Sequence, residues 1–285
     1  MLPNVQKVLT VSIALDINQP SLLNFPSIRG DAVNKLERID PLKNECMIFT
    51  TMTSQDTNIL NKPTSSNDHR MVKVRVWDLP TRLFHWLLFV LVLVSFVSGN
   101  IGGNAMVYHM RSGYAILALL IFRFVWGFTG SRSSRFASFV TNPATVWACA
   151  ANVFNKEEKP YLGHNPLGGW SIMAMLAALF LQVGSGLFAS DDIFTEGPLH
   201  LWVSKETSNF LTGVHLINRY VLVVLIAVHI FAVLFYLFYK RENLIRSMIT
   251  GVKRWHTMVE PADGRNLSAA IIFGLALIAV YLLVR

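Results

Sequence analysis

Charge is the scarcest commodity in this 285-residue chain. Only 15% of the residues are Asp, Glu, Lys or Arg, against 53% hydrophobic residues, and the mean hydropathy is +0.43. Soluble domains carry roughly 25% charged residues, so this chain cannot coat a water-soluble globule, and most of it belongs in a bilayer. Cysteine is almost absent. Cys46 and Cys149 are the two in the chain and lie far apart, which excludes a disulfide scaffold, a CxxC metal ribbon and a CxxCH site for covalent haem attachment. Cys149 lies in a mostly apolar stretch and reads as a packing residue.

The net charge of +8 is unevenly placed. Residues 1–70 hold seven basic and seven acidic side chains, and residues 71–285 hold eighteen basic and ten acidic ones. The basic residues flank apolar runs, which is the pattern of membrane orientation rather than of a nucleic-acid partner. Residues 1–70 are rich in Asn, Ser, Thr and Pro and read as a disordered extension. Their apolar run Val8–Leu15 is too short and lacks the cleavage site of a signal peptide. The run Met71–Arg75 has the look of a chain start, so one account of residues 1–70 is an upstream extension that is not native.

Five apolar segments follow, each near the roughly 20 residues needed to cross a bilayer. They are Leu83–Ile101, Val107–Phe128, Leu167–Ala189, Leu211–Tyr239 and Leu267–Val284. Without water to satisfy an open backbone, each must be a helix. The expected fold is an all-α membrane protein: four transmembrane helices over 71–253, then a basic linker and a fifth transmembrane helix over 254–285. Arg70, Lys73, Arg75 and Arg82 precede the first segment. Arg132, Arg135, Lys156 and Lys159 lie between the second and third, and Lys240, Arg241, Arg246, Lys253, Arg254 and Arg265 between the fourth and fifth. Basic loops stay inside, so the N-terminus is expected in the cytoplasm. Asn165-Pro166 reads as an N-cap followed by proline at the first helical position, and Gly168-Gly169 as a site of close approach.

The histidines carry the chemistry. His85, His109, His215 and His229 fall within the apolar segments, where polar side chains are costly and usually functional. His215 and His229 lie fourteen residues apart, about 21 Å and about 3.9 helical turns, so they face nearly the same way at two depths. Alternating helix direction puts His85 and His229 at the inner level and His109 and His215 at the outer. Two pairs at two depths suit two bis-histidine haems, and two axial ligands leave no open position for oxygen chemistry. A proton path or a neighbouring carbonyl is the alternative for any single one of these histidines. A structural zinc would need its ligands at one point.

Arg82 and Arg123 at the inner level, and Arg219 at the outer, are candidates for pairing with haem propionates, against the alternative of reaching to the headgroups. Arg111 reads as reaching to the headgroups. Gly113, one turn after His109, would let a flat macrocycle approach; Gly99, Gly184 and Gly186 could serve the same end, with helix packing the preferred reading. For His164, contact with a propionate, a proton relay to quinone and plain solvent contact all stay open, the last preferred. His69, His200 and His256 read as surface residues.

The run Val76-Trp77-Asp78-Leu79-Pro80-Thr81-Arg82-Leu83-Phe84-His85-Trp86 resembles the opening of bacterial di-haem cytochromes of the cytochrome b561 type, a group that includes the b-type cytochrome subunit of nickel–iron hydrogenases. Gly163-His164-Asn165-Pro166-Leu167-Gly168-Gly169, Glu196-Gly197-Pro198-Leu199 and Glu242-Asn243-Leu244 through Met248-Ile249-Thr250-Gly251 are similar as well. The resemblance covers about residues 72–253. It implies a four-helix core with two non-covalent haem b groups, His85, His109, His215 and His229 as ligands, and a place in the bacterial cytoplasmic membrane. It also implies electron exchange between the quinone pool and a redox partner, such as cytochrome c or a periplasmic dehydrogenase or hydrogenase. Membrane lipid is the other expected partner, and nucleic acid is not one. Two other readings compete. One is a stand-alone quinone-linked oxidoreductase acting on a small molecule such as superoxide. The other is a membrane anchor that docks a soluble redox subunit through the acidic loop Asp191–Glu206.

Overall fold

The computed structural model describes residues 71–155, 161–193, 195–256 and 265–285. The expectations for residues 1–70, His69 included, lie outside the described residues. Seven helices and two short strands follow in the order β1 (Val72–Arg75), α1 (Leu79–Ile101), α2 (Met106–Thr129), α3 (Pro143–Ala151), α4 (Pro166–Gly186), α5 (Lys205–Phe238), α6 (Leu244–Thr250), β2 (Val252–Trp255) and α7 (Asn266–Val284). α1, α2, α4, α5 and α7 are long and apolar enough to cross a membrane, so the chain is a multi-pass, largely α-helical membrane protein. The segments expected from sequence match these five, with α1 and α5 starting earlier, in polar turns that the apolar pattern does not mark.

Each start has a local chemical cause. The Asp78 side chain caps α1 by accepting from the Thr81 amide at 2.8 Å, with Pro80 in the first turn. The expected cap at Asn165 forms, its Oδ1 accepting from the Gly168 amide at 2.6 Å with Pro166 following. Ser204 caps α5 and Asn243 caps α6. The short α3, capped by Asn142 ahead of Pro143, was not expected from the sequence.

α2 is the most enclosed of the spanning helices. It packs on α1, α4 and α7, while α4 packs on α5. Its face Ile116, Leu119, Leu120, Phe122 and Trp126 joins Phe84 of α1, Leu176 and Leu179 of α4 and Ala269 and Ala276 of α7 in one buried cluster. Phe122 stacks on Trp126 and meets Phe273 of α7 edge-on at 5.9 Å. The fifth helix is therefore packed against the four-helix unit. Gly169 meets the Phe139 carbonyl so closely that a Cβ would stand 2.4 Å from the oxygen, which bears out the close approach expected at Gly168-Gly169.

An antiparallel ribbon closes the unit. β1 pairs with β2 through Val72↔Trp255 to Arg75↔Val252, and the Gly251 carbonyl accepts from the Val76 and Trp77 amides at 2.9 and 3.2 Å. Gly251 has φ +77°, and a Cβ there would stand 2.7 Å from the Trp77 carbonyl oxygen. Only glycine ends α6 at this place without strain. The ribbon holds the chain before α1 beside the chain after α6, so both lie on one side of the bilayer, as four crossings require.

Beneath the ribbon lies a buried polar knot. Asp78 is 1% exposed. Its Oδ2 accepts from Ser134 Oγ at 2.8 Å and from Trp126 Nε1 at 3.2 Å, and Ser134 also meets the Thr81 and Ser131 hydroxyls at 2.8 Å. Burial by itself would raise the Asp78 carboxyl, but the Ser131, Thr81 and Ser134 hydroxyls and the Thr81 amide hold it below the usual carboxylate range. The stability it contributes is complete above a pH of about 4 and is lost as the pH falls through the lowered folded value. Asp78→Ala is expected to destabilise the folded chain by about 3 kcal/mol, in line with removal of one partner from a buried charged network. Thermal unfolding in detergent at neutral pH checks this, and an unchanged midpoint would contradict it.

Candidate haem sites

α5 carries His215 and His229 and sets two levels. At the level of the α1 N-terminus, the expected inner level, the His229 ring lies 6.4 Å, centroid to centroid, from the His85 ring of α1. At the outer level the His215 ring lies 5.9 Å from the His109 ring of α2. All four rings are half-buried. The structure thus brings the four expected histidines together in the two expected pairs.

The separations have chemical meaning. Imidazoles that hydrogen-bond each other directly sit closer than this. Two imidazoles bound through one nitrogen each, on opposite sides of a metal with bonds of about 2.0 Å, have centroids about 6 Å apart. Among the described residues, no group of three or more His, Cys, Asp or Glu gathers that could hold a metal ion. Two imidazoles at such a separation suit an ion whose other positions are filled by a macrocycle.

The outer pair is oriented by backbone carbonyls. His109 Nδ1 donates to the Ser95 carbonyl at 2.8 Å, with the Ser95 hydroxyl 3.2 Å away. His215 Nδ1 donates to the Gln182 carbonyl at 2.8 Å. A proton fixed on Nδ1 leaves the Nε2 lone pair for a metal. Gln182 Nε2 donates to the His215 carbonyl at 3.1 Å, and Asn218 bridges the Gln182 Oε1 at 2.8 Å and the Ala178 carbonyl at 2.9 Å. Ser95, Gln182 and Asn218 are supporting residues that the sequence reading passed over. Their signal was available, because each is a polar residue inside an apolar run.

Two glycines read as packing residues prove to have a more specific place. A Cβ on Gly99 would stand 2.7 Å from His109 Nδ1, and one on Gly186 would stand 2.9 Å from His215 Cε1. Each therefore makes room for an imidazole of the outer pair. Among the described residues, nothing lies within 4 Å of such a Cβ at Gly113 or Gly184, which at Gly113 agrees with the space expected for a flat ring.

Buried polar atoms are left unmatched near the pairs. Among the described residues, Arg82 Nε, Arg123 Nη1, Arg219 Nε, His85 Nδ1 and His164 Nδ1 have no hydrogen-bond partner, a costly state unless another group supplies one. Arg82 also donates to the Ile249 carbonyl at 2.6 Å. Arg219 donates to the Tyr220 hydroxyl at 2.7 Å and lies over that ring. Arg123 is 4% exposed and sits 4.8 Å from the Phe136 ring centroid. Its burial excludes the headgroup reading for Arg123. Arg111 is exposed, as that reading requires.

Two lesser histidines correct the sequence reading. His164 is half-buried, with its Nδ1 enclosed, and is not a plain solvent contact. Its ring packs on Trp77 at 4.5 Å and Phe139 at 5.0 Å, and burial, followed by the Arg123 charge and His229, pushes its imidazole down to about 3. His200 is not a bare surface residue either. It donates from Nδ1 to the Gly197 carbonyl at 2.9 Å and meets Glu196 at 2.9 Å. His256 is exposed, as expected.

The sequence model described as prokaryotic cytochrome b561 matches residues 76–251, more than half of the chain. The chain belongs to the prokaryotic cytochrome b561 family. Relatives agree at low identity. A protein of Bradyrhizobium diazoefficiens named "Probable Ni/Fe-hydrogenase B-type cytochrome subunit" is 24% identical over 216 residues, covering 64% of this chain and 86% of that one. Proteins of the same name from Rhizobium leguminosarum bv. viciae and Azotobacter vinelandii are each 26% identical, the latter covering 64% of this chain and 89% of that one. No solved structure matches the chain. A b561-family chain is a membrane haem electron carrier, and its haem is of the b type. The paired imidazoles, the orphaned arginine donors and the open ground at Gly113 all fit such a group.

Gly99→Ala and Gly186→Ala are each expected to push an outer imidazole out of line. The purified variants should lose haem, by about half, with helix content by circular dichroism unchanged. Full haem content in both variants would contradict the role of these glycines.

Proposed function

We propose that this b561-family chain carries single electrons across the bacterial cytoplasmic membrane, between the quinone pool and a redox partner on the far side. Two non-covalent haem b groups are held by His85 with His229 and by His109 with His215. The observation that carries the reading is the pair of imidazole couples, 6.4 and 5.9 Å apart, on one face of α5. When bound, haem supplies one-electron chemistry without an open coordination position.

The chain's own residues do the rest. Ser95 and Gln182 fix the outer rings through their carbonyls, so ligand geometry need not reorganise when charge changes. Arg82 and Arg123 at the inner level and Arg219 at the outer offer cationic donors to propionates. The apolar faces of α1, α2, α4 and α5 keep water from the sites. The hydrogenase-subunit names of the relatives make a periplasmic hydrogenase-type protein the first partner to test, with cytochrome c the other. The basic ends of the bundle support a cytoplasmic N-terminus. Residues 71–253 form the cytochrome unit in this reading, and 254–285 add the linker and α7.

The anchor reading gains less support. The acidic loop spends much of its charge on itself: Asp192 meets Lys205 at 3.4 Å, Glu196 meets His200, and Asp191 Oδ1 accepts from the Ile193 and Thr195 amides. Little of it is left as a free docking charge.

Ligand pairing is tested by four single substitutions in the full chain. His85→Ala and His229→Ala are expected to remove the same spectral component, and His109→Ala and His215→Ala the other, each with about half the haem retained. A pattern in which His85→Ala and His109→Ala remove one common component would overturn the pairing.

A further inference from the structure

His164 has no part in the pairs, yet it is half-buried. Its Nδ1 is buried and without an acceptor, like Nη1 of Arg123, a side chain only 4% exposed. The two are linked through aromatic rings. Arg123 lies over Phe136, Phe136 meets Phe139 at 5.9 Å, and Phe139 meets the His164 ring at 5.0 Å, with Trp77 at 4.5 Å. His164 lies within electrostatic reach of Arg123 and of His229. Asn165, the next residue, donates from Nδ2 to the hydroxyl of Tyr236, which lies seven residues after His229 and so on the same face of α5.

The chemistry of the missing acceptor follows from the donors. A buried guanidinium with a vacant N–H is strongly unfavourable. Asp78 is the nearby carboxylate, but the Thr81 amide, Ser134 and Trp126 already occupy its oxygens. A second anion would satisfy these donors, and a guanidinium and an imidazole N–H that line one aromatic cluster suit a carboxylate. The His164 imidazole already packs on two aromatic rings, which favours a narrow carboxylate-bearing chain over another planar ring such as a quinone.

We infer that His164 Nδ1 and Arg123 Nη1 together form a carboxylate site that takes a propionate of the inner haem, making His164 a direct partner of the cofactor. This rests on the reading that His85 and His229 hold that haem. The hydrogen bond would partly neutralise the propionate's charge. Without it, the uncompensated negative charge would favour the oxidised iron.

Redox titration of the full chain in detergent tests this. His164→Leu removes the donor. His164→Asn keeps one, because the Asn amide nitrogen falls close to where Nδ1 stands. The expected result is that His164→Leu lowers one haem midpoint potential or loses that haem alone, the other haem is unchanged, and His164→Asn behaves like the parent. Unchanged potentials in His164→Leu, or equal shifts in both variants, would overturn the proposal.

A second measurement needs no substitution. In the fully reduced parent chain, the ¹⁵N resonance of His164 Nδ1 should differ between protein loaded with haem and protein loaded with haem dimethyl ester, whose propionates are masked. Identical resonances would mean that a free anion or a lipid headgroup fills the site, and would also overturn the proposal. Protein with no haem at all would instead defeat the functional reading on which this one rests.

Discussion

Two imidazoles fourteen residues apart on one long helix set the terms for everything around them. An unpaired polar group in hydrocarbon is costly, so each of these rings must meet something at its own depth. α5 presents them at two levels about 21 Å apart, and the fold supplies one ring from α1 and one from α2 to match. Helix direction decides which: His85 lies near the start of α1 and His109 near the start of α2, so antiparallel packing of α1 and α2 carries them to opposite faces. The ribbon between β1 and β2 then fixes where the bundle opens and closes, with Gly251 as its hinge-point in the left-handed region. The result is two histidine couples that share one supporting helix but differ in how their rings are held.

That difference is the most informative asymmetry in the molecule. The outer rings are held by helix carbonyls of Ser95 and Gln182. At the inner level His85 Nδ1 has no partner, and the surrounding arginines and His164 also carry unmet donors. The inner side of the bundle also holds the Asp78 knot, which ties the start of α1 to the end of α2 and the loop beyond it. Arg123 feels that carboxylate without occupying it. The two histidine couples therefore stand in different surroundings, the outer one held by helix carbonyls and the inner one without such holds on His85 among the described residues.

The spans and the four paired histidines were legible because they obey one-dimensional rules. Apolar length gives the crossings, and helical pitch with alternating direction gives the depths. Asn165-Pro166 could be read as a helix start for the same reason: a cap acts within three residues. What the sequence hid depends on contacts distant along the chain. The β1–β2 ribbon joins segments about 180 residues apart with no strong strand pattern in either. Gly99 and Gly186 looked like ordinary packing glycines because the rings they accommodate sit on other helices. His164 looked like a solvent residue because Trp77 and Phe139, which enclose it, come from before α1 and before α3. Arg123 could not be separated from a headgroup-reaching arginine until Phe136 was seen to cover it.

The account stands or falls on the number of haems that the bundle holds. The most direct measurement is the haem-to-protein ratio of the purified full chain, taken from its pyridine haemochrome against amino-acid analysis. Two non-covalent b-type haems per chain is the result this structure predicts. A ratio of one, or of none in a chain that retains its helices, would contradict the paired-site account.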